Sequence, residues 1–145
     1  MYKNILMATD GSELSRRAVD QGLTLAKAFD AKVITITTTE PWLATAPGEI
    51  AIAFPIEDYE KSVGVKAAAI LAEVAAVAKQ RGLSCETVHI KDEFPAEGIL
   101  STADERGCDL IVMGSHGRRG LSRLLLGSQA NVVLTHVKIP VLICR

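Results

Sequence analysis

Apolar runs and helical patterns alternate along the whole chain, and this alternation limits the fold more than any other feature of the sequence. Ile5–Ala8 is a continuous apolar run, and Val33–Thr37 is rich in β-branched residues, which favour strands. Three further runs complete a set of five predicted strands: Cys85–Ile90, Leu110–Met113 and Val141–Cys144. Four helices are predicted between them, from Ser12 or Ser15 to Phe29, along an apolar stripe from Val63 to Arg81, from Pro95 to Arg106, and from about Ser128 to His136.

Strands that alternate with helices predict a single doubly wound α/β domain over residues 1–145. Right-handed crossovers would give a five-stranded parallel sheet, Rossmann-like with the strand order 3-2-1-4-5, and helices would cover both faces. Ligands of such sheets bind at the carboxyl ends of the strands, where the winding direction reverses. Two segments depart from the regular pattern, Glu40–Asp58 and Gly114–Gly127, and the second joins the fourth strand to the last helix.

The charge and composition argue against several classes of protein. With 16 Lys and Arg against 17 Asp and Glu, the net charge is −1, which disfavours bulk electrostatic binding to nucleic acid or an acidic membrane. No window offers the roughly 20 apolar residues of a membrane span, and the N-terminus lacks the pattern of a signal peptide. Cys85, Cys108 and Cys144 form no close pair, and the three histidines lack metal-ligand spacing. We therefore expect a soluble, cytoplasmic protein without a disulfide or a protein metal site.

The stretch from Gly114 to Ser128 carries the strongest chemical signal. It leaves a buried strand at Gly114, passes Gly117 and enters a helix at Gly127–Ser128. Glycines let main-chain amides approach a phosphate closely, and a helix N-terminus attracts an anion. Arginines 118, 119 and 123 add positive charge near the opening. On composition alone, a phosphate site and a flexible connection with incidental glycines are equally good interpretations.

Better-known phosphate loops do not match this chain. The sequence contains no GxxxxGK[ST], so the P-loop mechanism with its lysine is excluded. The turn after the first strand, Thr9-Asp10-Gly11-Ser12, is not GxGxxG, so a Rossmann dinucleotide site is poorly supported. An aspartyl-phosphate at Asp10 would need neighbouring acidic residues that this strand end lacks.

Two motifs at matching strand ends resemble those of the universal stress protein family. One is Gly114-x2-Gly117-x9-Gly127-Ser128, and the other is Asp10 at the close of the first strand. The resemblance covers essentially the whole chain, from Tyr2-Lys3-Asn4-Ile5-Leu6 to Pro140-Val141-Leu142-Ile143. Two departures stand out: Ala8 lies where many members have proline, and Thr37-Thr38-Thr39 stands where a His-Val segment is common.

The ATP-binding members of the family imply roles for particular residues. Asp10 would accept hydrogen bonds from the ribose hydroxyls, Ala8 and Thr9 would lie beside the adenine, and Thr38 would bond its edge through the main chain. The rest of the predicted site would surround the ribose and phosphates: Met113, Gly114, His116, Gly117, Arg118, Gly127, Ser128 and Gln129. Mg²⁺ or Mn²⁺ would bridge phosphate oxygens without dedicated protein ligands. Because the implied adenine contacts are to the main chain, binding should survive both departures.

Three functional hypotheses remain open. The first is a regulatory module of the stress response that binds ATP, or another adenine nucleotide, with little turnover. The second is a slow ATPase or an autophosphorylating protein, for which His116, Ser122 and Ser128 are the candidate residues. The third is a stress protein that interacts with partners independently of nucleotide, which the intact glycines disfavour. No catalytic triad can be argued from the sequence.

The last strand, Val141–Cys144, would leave an open sheet edge. An exposed apolar edge invites pairing, and antiparallel pairing with the same strand of a second copy satisfies both edges. The family resemblance also implies a homodimer. A loop that covers the edge is the alternative. Glu40–Asp58 is a candidate flap over the nucleotide or a second contact surface, and the sequence does not decide between them.

Overall fold

The computed structural model describes residues 1–45, 48–49, 55–117 and 125–145 of the chain. Within these ranges the strands are β1 (Asn4–Ala8), β2 (Lys32–Thr39), β3 (Cys85–Lys91), β4 (Leu110–Gly114) and β5 (Val141–Cys144). They form one sheet in the order β3-β2-β1-β4-β5, and every neighbouring pair is parallel. The predicted fold class and strand order are confirmed.

The helices of the described ranges follow the predicted alternation, with one addition. They are α1 (Glu13–Phe29), α2 (Trp42–Thr45), α3 (Ile56–Gln80), α4 (Pro95–Glu105) and α5 (Ser128–His136). The prediction for Glu40–Asp58 was therefore wrong in part, because α2 lies inside this segment and α3 already begins at Ile56. The first turns of α3 are mostly exposed, and the predicted apolar stripe began only at Val63, so the earlier helical residues were not included in the prediction. Pro55 at the N-cap position and acidic residues in the first turn do favour a helix start there.

Each face of the sheet is covered by two helices, because successive side chains of a strand point to opposite faces. On β1, Ile5 and Met7 pack with α1 and α3, whereas Leu6 packs with α4 and α5. These three side chains are at most 1% exposed, as expected for a strand buried on both sides. The two helical layers thus make two apolar cores that share the sheet.

Local sequence signals account for the helix ends. The Ser12 hydroxyl caps α1 by accepting a hydrogen bond of 3.3 Å from the Ser15 amide. Gly82 and Gly107 follow α3 and α4 with φ of +74° and +59°, the left-handed conformation that favours glycine. In the part of the chain that the structure describes, no helix is long and apolar enough to cross a membrane.

The topology places a crevice at the carboxyl end of the central strand. From β1 the chain winds through β2 to β3 on one side, and then returns to β4 and β5 on the other. The loops that follow β1 and β4 diverge at this reversal, so a space remains between them.

Candidate functional site

A cleft of about 760 Å³ lies at this reversal, a size typical of sites for small molecules. It is lined by the carboxyl ends of β1, β2 and β4, by the start of α5, and by residues of α3 and α4. Eleven of the twelve predicted site residues line it: Ala8, Thr9, Asp10, Thr38, Met113, Gly114, His116, Gly117, Gly127, Ser128 and Gln129. The twelfth, Arg118, and the candidate Ser122 lie outside the described residues.

Hydrogen bonds within the turn after β1 hold Asp10 at the cleft. The Thr9 hydroxyl is buried and shares a hydrogen bond of 2.9 Å with the Ser15 hydroxyl of α1. It also accepts a hydrogen bond of 3.2 Å from the Gly11 amide. Asp10 Oδ1 accepts a hydrogen bond of 3.0 Å from the Ser12 amide, a local bond typical of an Asx turn. The carboxylate is therefore fixed in direction by its own turn before any ligand arrives.

Gly117 brings the loop after β4 up to this carboxylate. A Cβ built on Gly117 would lie 3.0 Å from Asp10 Oδ2, which is tighter than an ordinary van der Waals contact. Gly117 is not among the glycines with positive φ, so the reason for glycine here is close approach and not backbone conformation. The two sequence motifs thus meet in space, one against the other.

Gly127 has a comparable role at the other end of the same loop. A Cβ on Gly127 would lie 3.1 Å from His116 Cα and 3.3 Å from the Ser115 carbonyl oxygen. The Gly127 amide donates a hydrogen bond of 2.8 Å to that oxygen, and the Ser115 amide donates one of 2.8 Å to the carbonyl of Cys144 in β5. The start and end of the loop are therefore joined, and both are tied to the outer strand. The sequence assigned this glycine to phosphate binding, whereas the structure also requires it for packing of the chain.

The start of α5 supplies the main-chain donors of the cleft. Gly127 occupies the N-cap position, and Ser128 is the first helical residue. The first amides of a helix have no partner within it, and they carry the positive end of the helix dipole. The Gln129 side chain is engaged elsewhere, because its Oε1 accepts a hydrogen bond of 2.9 Å from the Ala96 amide in α4. This bond holds the N-terminal ends of α4 and α5 together beside the cleft.

One wall of the cleft comes from α3 and was not predicted as part of the site. The helix presents Tyr59, Val63, Lys66, Ala67 and Ile70, which follow one another at helical spacing. Three of these residues belong to the apolar stripe that the sequence analysis assigned to a helix face, so the signal was present but was interpreted as core. Lys66 adds an ammonium group, the cation of this wall.

Part of the irregular segment Glu40–Asp58 also lies beside the cleft. Glu40 and Thr45 line it. The Tyr59 hydroxyl donates a hydrogen bond of 2.7 Å to the Glu40 carbonyl oxygen, and the rings of Trp42 and Tyr59 are 4.8 Å apart between centroids. These contacts attach α2 to the start of α3, next to the opening.

Hydroxyl groups dominate the end of β2. Thr37, Thr38 and Thr39 all line the cleft. Thr39 Oγ1 shares a hydrogen bond of 3.0 Å with His89 Nε2 on the neighbouring strand β3. Burial lowers the pKa of His89 below its ordinary value of 6.5, and the charge of Lys91 lowers it further. The neutral imidazole is therefore favoured at this edge of the site.

His116 contributes an imidazole ring to the loop and lines the cleft. Its Nδ1 lies 3.1 Å from the Ser115 hydroxyl, a neighbour in sequence. Over the described ranges, no group of three His, Cys, Asp or Glu side chains is arranged to hold a metal ion. Among the described residues, the site thus combines main-chain amides, hydroxyls, the carboxylates of Asp10 and Glu40, the Lys66 ammonium group, the His116 ring and apolar walls, an arrangement suited to binding a polar small molecule.

The fold and this site define a doubly wound α/β protein with a small-molecule cleft at the reversal of its sheet. The family model of the universal stress protein family matches residues 1–145, and the chain belongs to that family. A universal stress protein of Methanocaldococcus jannaschii is 35% identical over 148 residues, which cover all of this chain and 83% of the relative.

Solved structures agree with this assignment. The universal stress protein UspA from Lactobacillus plantarum superposes with a TM-score of 0.86 at 20% identity, covering 99% of this chain and 98% of that one, and shows the shared fold. A universal stress protein solved in complex with cAMP is 31% identical, with a TM-score of 0.69 and coverage of 98% and 95%.

Proposed function

We propose that this protein binds an adenine nucleotide, with ATP as the first candidate, and acts as a regulatory homodimer in the cytoplasm. The observation that carries the proposal is the meeting of two motifs at one cleft. Asp10 and Gly117 face each other there, and the first turn of α5 lines the same space. The relative solved with cAMP supports the adenine nucleotide class.

The chemistry of each part of the cleft suits one part of a nucleotide. The amides of the first turn of α5 and the Ser128 hydroxyl would hold phosphate oxygens. Asp10, fixed by its turn, would accept hydrogen bonds from ribose hydroxyls. Apolar side chains of α3 and the main chain at Thr38 would enclose the base. Mg²⁺ or Mn²⁺ would be carried by the phosphates, since the described residues offer it no cluster of ligands.

Our proposal of a homodimer rests on the outer strand β5. It is the last strand of the sheet, and its four residues are only half-buried. Antiparallel pairing with β5 of a second copy would satisfy its free main-chain groups. The hydrogen bond from the Ser115 amide to the Cys144 carbonyl connects this edge to the loop of the cleft. A change in the loop on nucleotide binding could therefore reach the dimer surface through one contact.

Thermal unfolding tests the proposal. The protein is melted with ATP–Mg²⁺, with GTP–Mg²⁺ and without ligand, after co-purified nucleotide has been removed and its absence checked by absorbance. Ligand at 100 times Kd should add about 2.7 kcal/mol, a shift of roughly 5–10 °C for a chain of this length. We expect this shift with ATP and a much smaller one with GTP. No shift with ATP would reject the proposed function.

Acid quench and chromatography of the ATP sample separate binding from turnover. Intact ATP after prolonged incubation is the expected result. Accumulation of ADP would instead favour a slow ATPase or an autophosphorylating protein, and variants of His116 and Ser128 would then be the first to examine, because both line the cleft.

A further inference from the structure

Gly98, in the first half of α4, lies against the end of β2 more closely than any other residue type would allow. A Cβ built on Gly98 would be 2.7 Å from Thr38 Cγ2 and 3.3 Å from Ile90 Cγ2. Real Cβ atoms essentially never approach another heavy atom to less than 3.0 Å. The missing side chain of Gly98 is therefore what permits α4 to rest on these two strands.

The groups opposite Gly98 have little freedom to move away. Thr38 and Ile90 are paired residues of β2 and β3, so the sheet holds both in register. Both side chains are β-branched, which restricts rotation about χ1 and limits how far the Thr38 methyl can turn aside. An added Cβ at position 98 would therefore displace the end of β2 or push α4 outward.

Either displacement changes the cleft, although Gly98 itself does not line it. Thr38 forms part of the cleft at the end of β2, and the N-cap residue Phe94 together with Pro95 and Ile99 of α4 forms part of the adjoining wall. The Gly98 amide donates a hydrogen bond of 3.1 Å to the Phe94 carbonyl oxygen, so Gly98 belongs to the same turn as these wall residues. The contact between Gly98 and Thr38 thus sets the distance between the α4 wall and the end of β2 that lines the cleft.

We propose that Gly98 is a positioning residue for the nucleotide site: its lack of a side chain seats α4 on Thr38 and fixes the width of the cleft on that side. The inference rests on the proposed function, since it concerns the same cleft. It adds a residue from outside both sequence motifs, on a helix that carries neither of them.

The experiment measures ATP–Mg²⁺ binding by calorimetry for Gly98→Ala in two backgrounds, one with Thr38 and one with Thr38→Ser. Serine lacks the Cγ2 atom that the new Cβ would meet. With threonine at position 38, we expect Gly98→Ala to weaken binding by about tenfold, the cost of one hydrogen bond that is no longer aligned. With serine at position 38, we expect the same change to cost less than about threefold.

Gly64→Ala is the matched control, because Gly64 is also helical and a Cβ there would meet nothing within 4 Å. It should leave binding unchanged. Unchanged binding in Gly98→Ala, or an equal loss in both backgrounds, would overturn the inference while the proposed function stands. No binding by the unmutated protein would overturn the proposed function and this inference with it.

Folding of the variants is followed by circular dichroism. If Gly98→Ala does not fold, the test rests on the double variant that combines Gly98→Ala with Thr38→Ser. If the double variant folds and its Kd for ATP–Mg²⁺ is within threefold of that of Thr38→Ser, the proposed role of Gly98 is supported. If the double variant also fails to fold, or binds ATP–Mg²⁺ tenfold more weakly than Thr38→Ser, the proposed role is overturned.

Discussion

Replacing Gly117 with valine should weaken nucleotide binding through the Asp10 carboxylate. The valine Cβ would begin 3.0 Å from Asp10 Oδ2, and its two methyl groups would extend beyond that point. The carboxylate would have to leave the position that its bond to the Ser12 amide maintains. Because Gly117 does not need a positive φ, the backbone itself tolerates the substitution, and we expect a folded variant.

The size of the effect follows from the bond that would be lost. A hydrogen bond to a charged group contributes about 1.5–3 kcal/mol, so losing the one from the ribose to Asp10 should raise Kd by roughly 10- to 150-fold. Gly117→Ala, which adds the Cβ alone, requires a displacement of only a few tenths of an ångström and should cost clearly less.

A double-mutant cycle with Asp10→Ala tests this reasoning by calorimetry. If valine acts by displacing the carboxylate, Gly117→Val should cost little once Asp10 has been truncated, and the two effects will not add. Gly64→Val serves as the control, since space around Gly64 is open. Fully additive losses would refute the proposed route through Asp10. Binding of ATP by Gly117→Val as tightly as by the parent would refute the assignment of the site.

Two further predictions concern the sheet edges. Leu142→Asp on β5 should convert a dimer to a monomer in light scattering or make the chain insoluble, because it places a charge where Leu142 packs against the apolar core next to the proposed interface, whereas Val65→Asp on exposed α3 should do neither. An unchanged dimer mass for Leu142→Asp would rule out this interface. Burial and the charge of Lys91 lower the pKa of His89 in the folded protein below the value of 6.5 in the unfolded chain. Below pH 6.5 the unfolded chain therefore binds a proton more readily than the folded protein, and the free energy of unfolding should fall as the pH drops from 6.5 through the pKa of the folded state. His89→Gln should show a smaller loss in melting temperature between pH 7.5 and pH 5 than the parent, with His136→Gln as the control; equal losses in His89→Gln and the parent would contradict the prediction.

Local patterns in the sequence were enough to predict the sheet and most of the helices. The apolar runs Ile5–Ala8 and Leu110–Met113 are buried on both faces, and the stop signal at Gly82 is used as predicted. These features depend on residues that are near one another in sequence, so periodicity and turn chemistry reveal them. The early start of α3 escaped prediction because its first turns are mostly exposed, and Ile56 and Tyr59 were not included in the helical stripe that began at Val63.

The candidate site was likewise predicted in part from the sequence and in part only visible in the structure. The two motifs were visible in the sequence, together with their places at strand ends, and eleven of the twelve predicted site residues line one cleft. The α3 wall with Lys66 was missed, since a stripe that lines a cleft and a stripe that packs in the core have the same spacing. The hydrogen bond that Gln129 Oε1 accepts from the Ala96 amide could not be predicted either, because it joins two helices that are distant in sequence.

The sequence by itself determined the five strands, most of the helical residues and the candidate residues of the site. Only the tertiary structure decided what each of those residues touches. Gly117 and Gly127 appeared as phosphate-loop glycines, yet the atoms nearest to them belong to Asp10 and His116. Gly98 gave no signal at all, and its importance arises from a contact with Thr38. Contacts of this kind depend on the packing of helices against the sheet at atomic distances, and such distances leave no periodic trace in the order of residues.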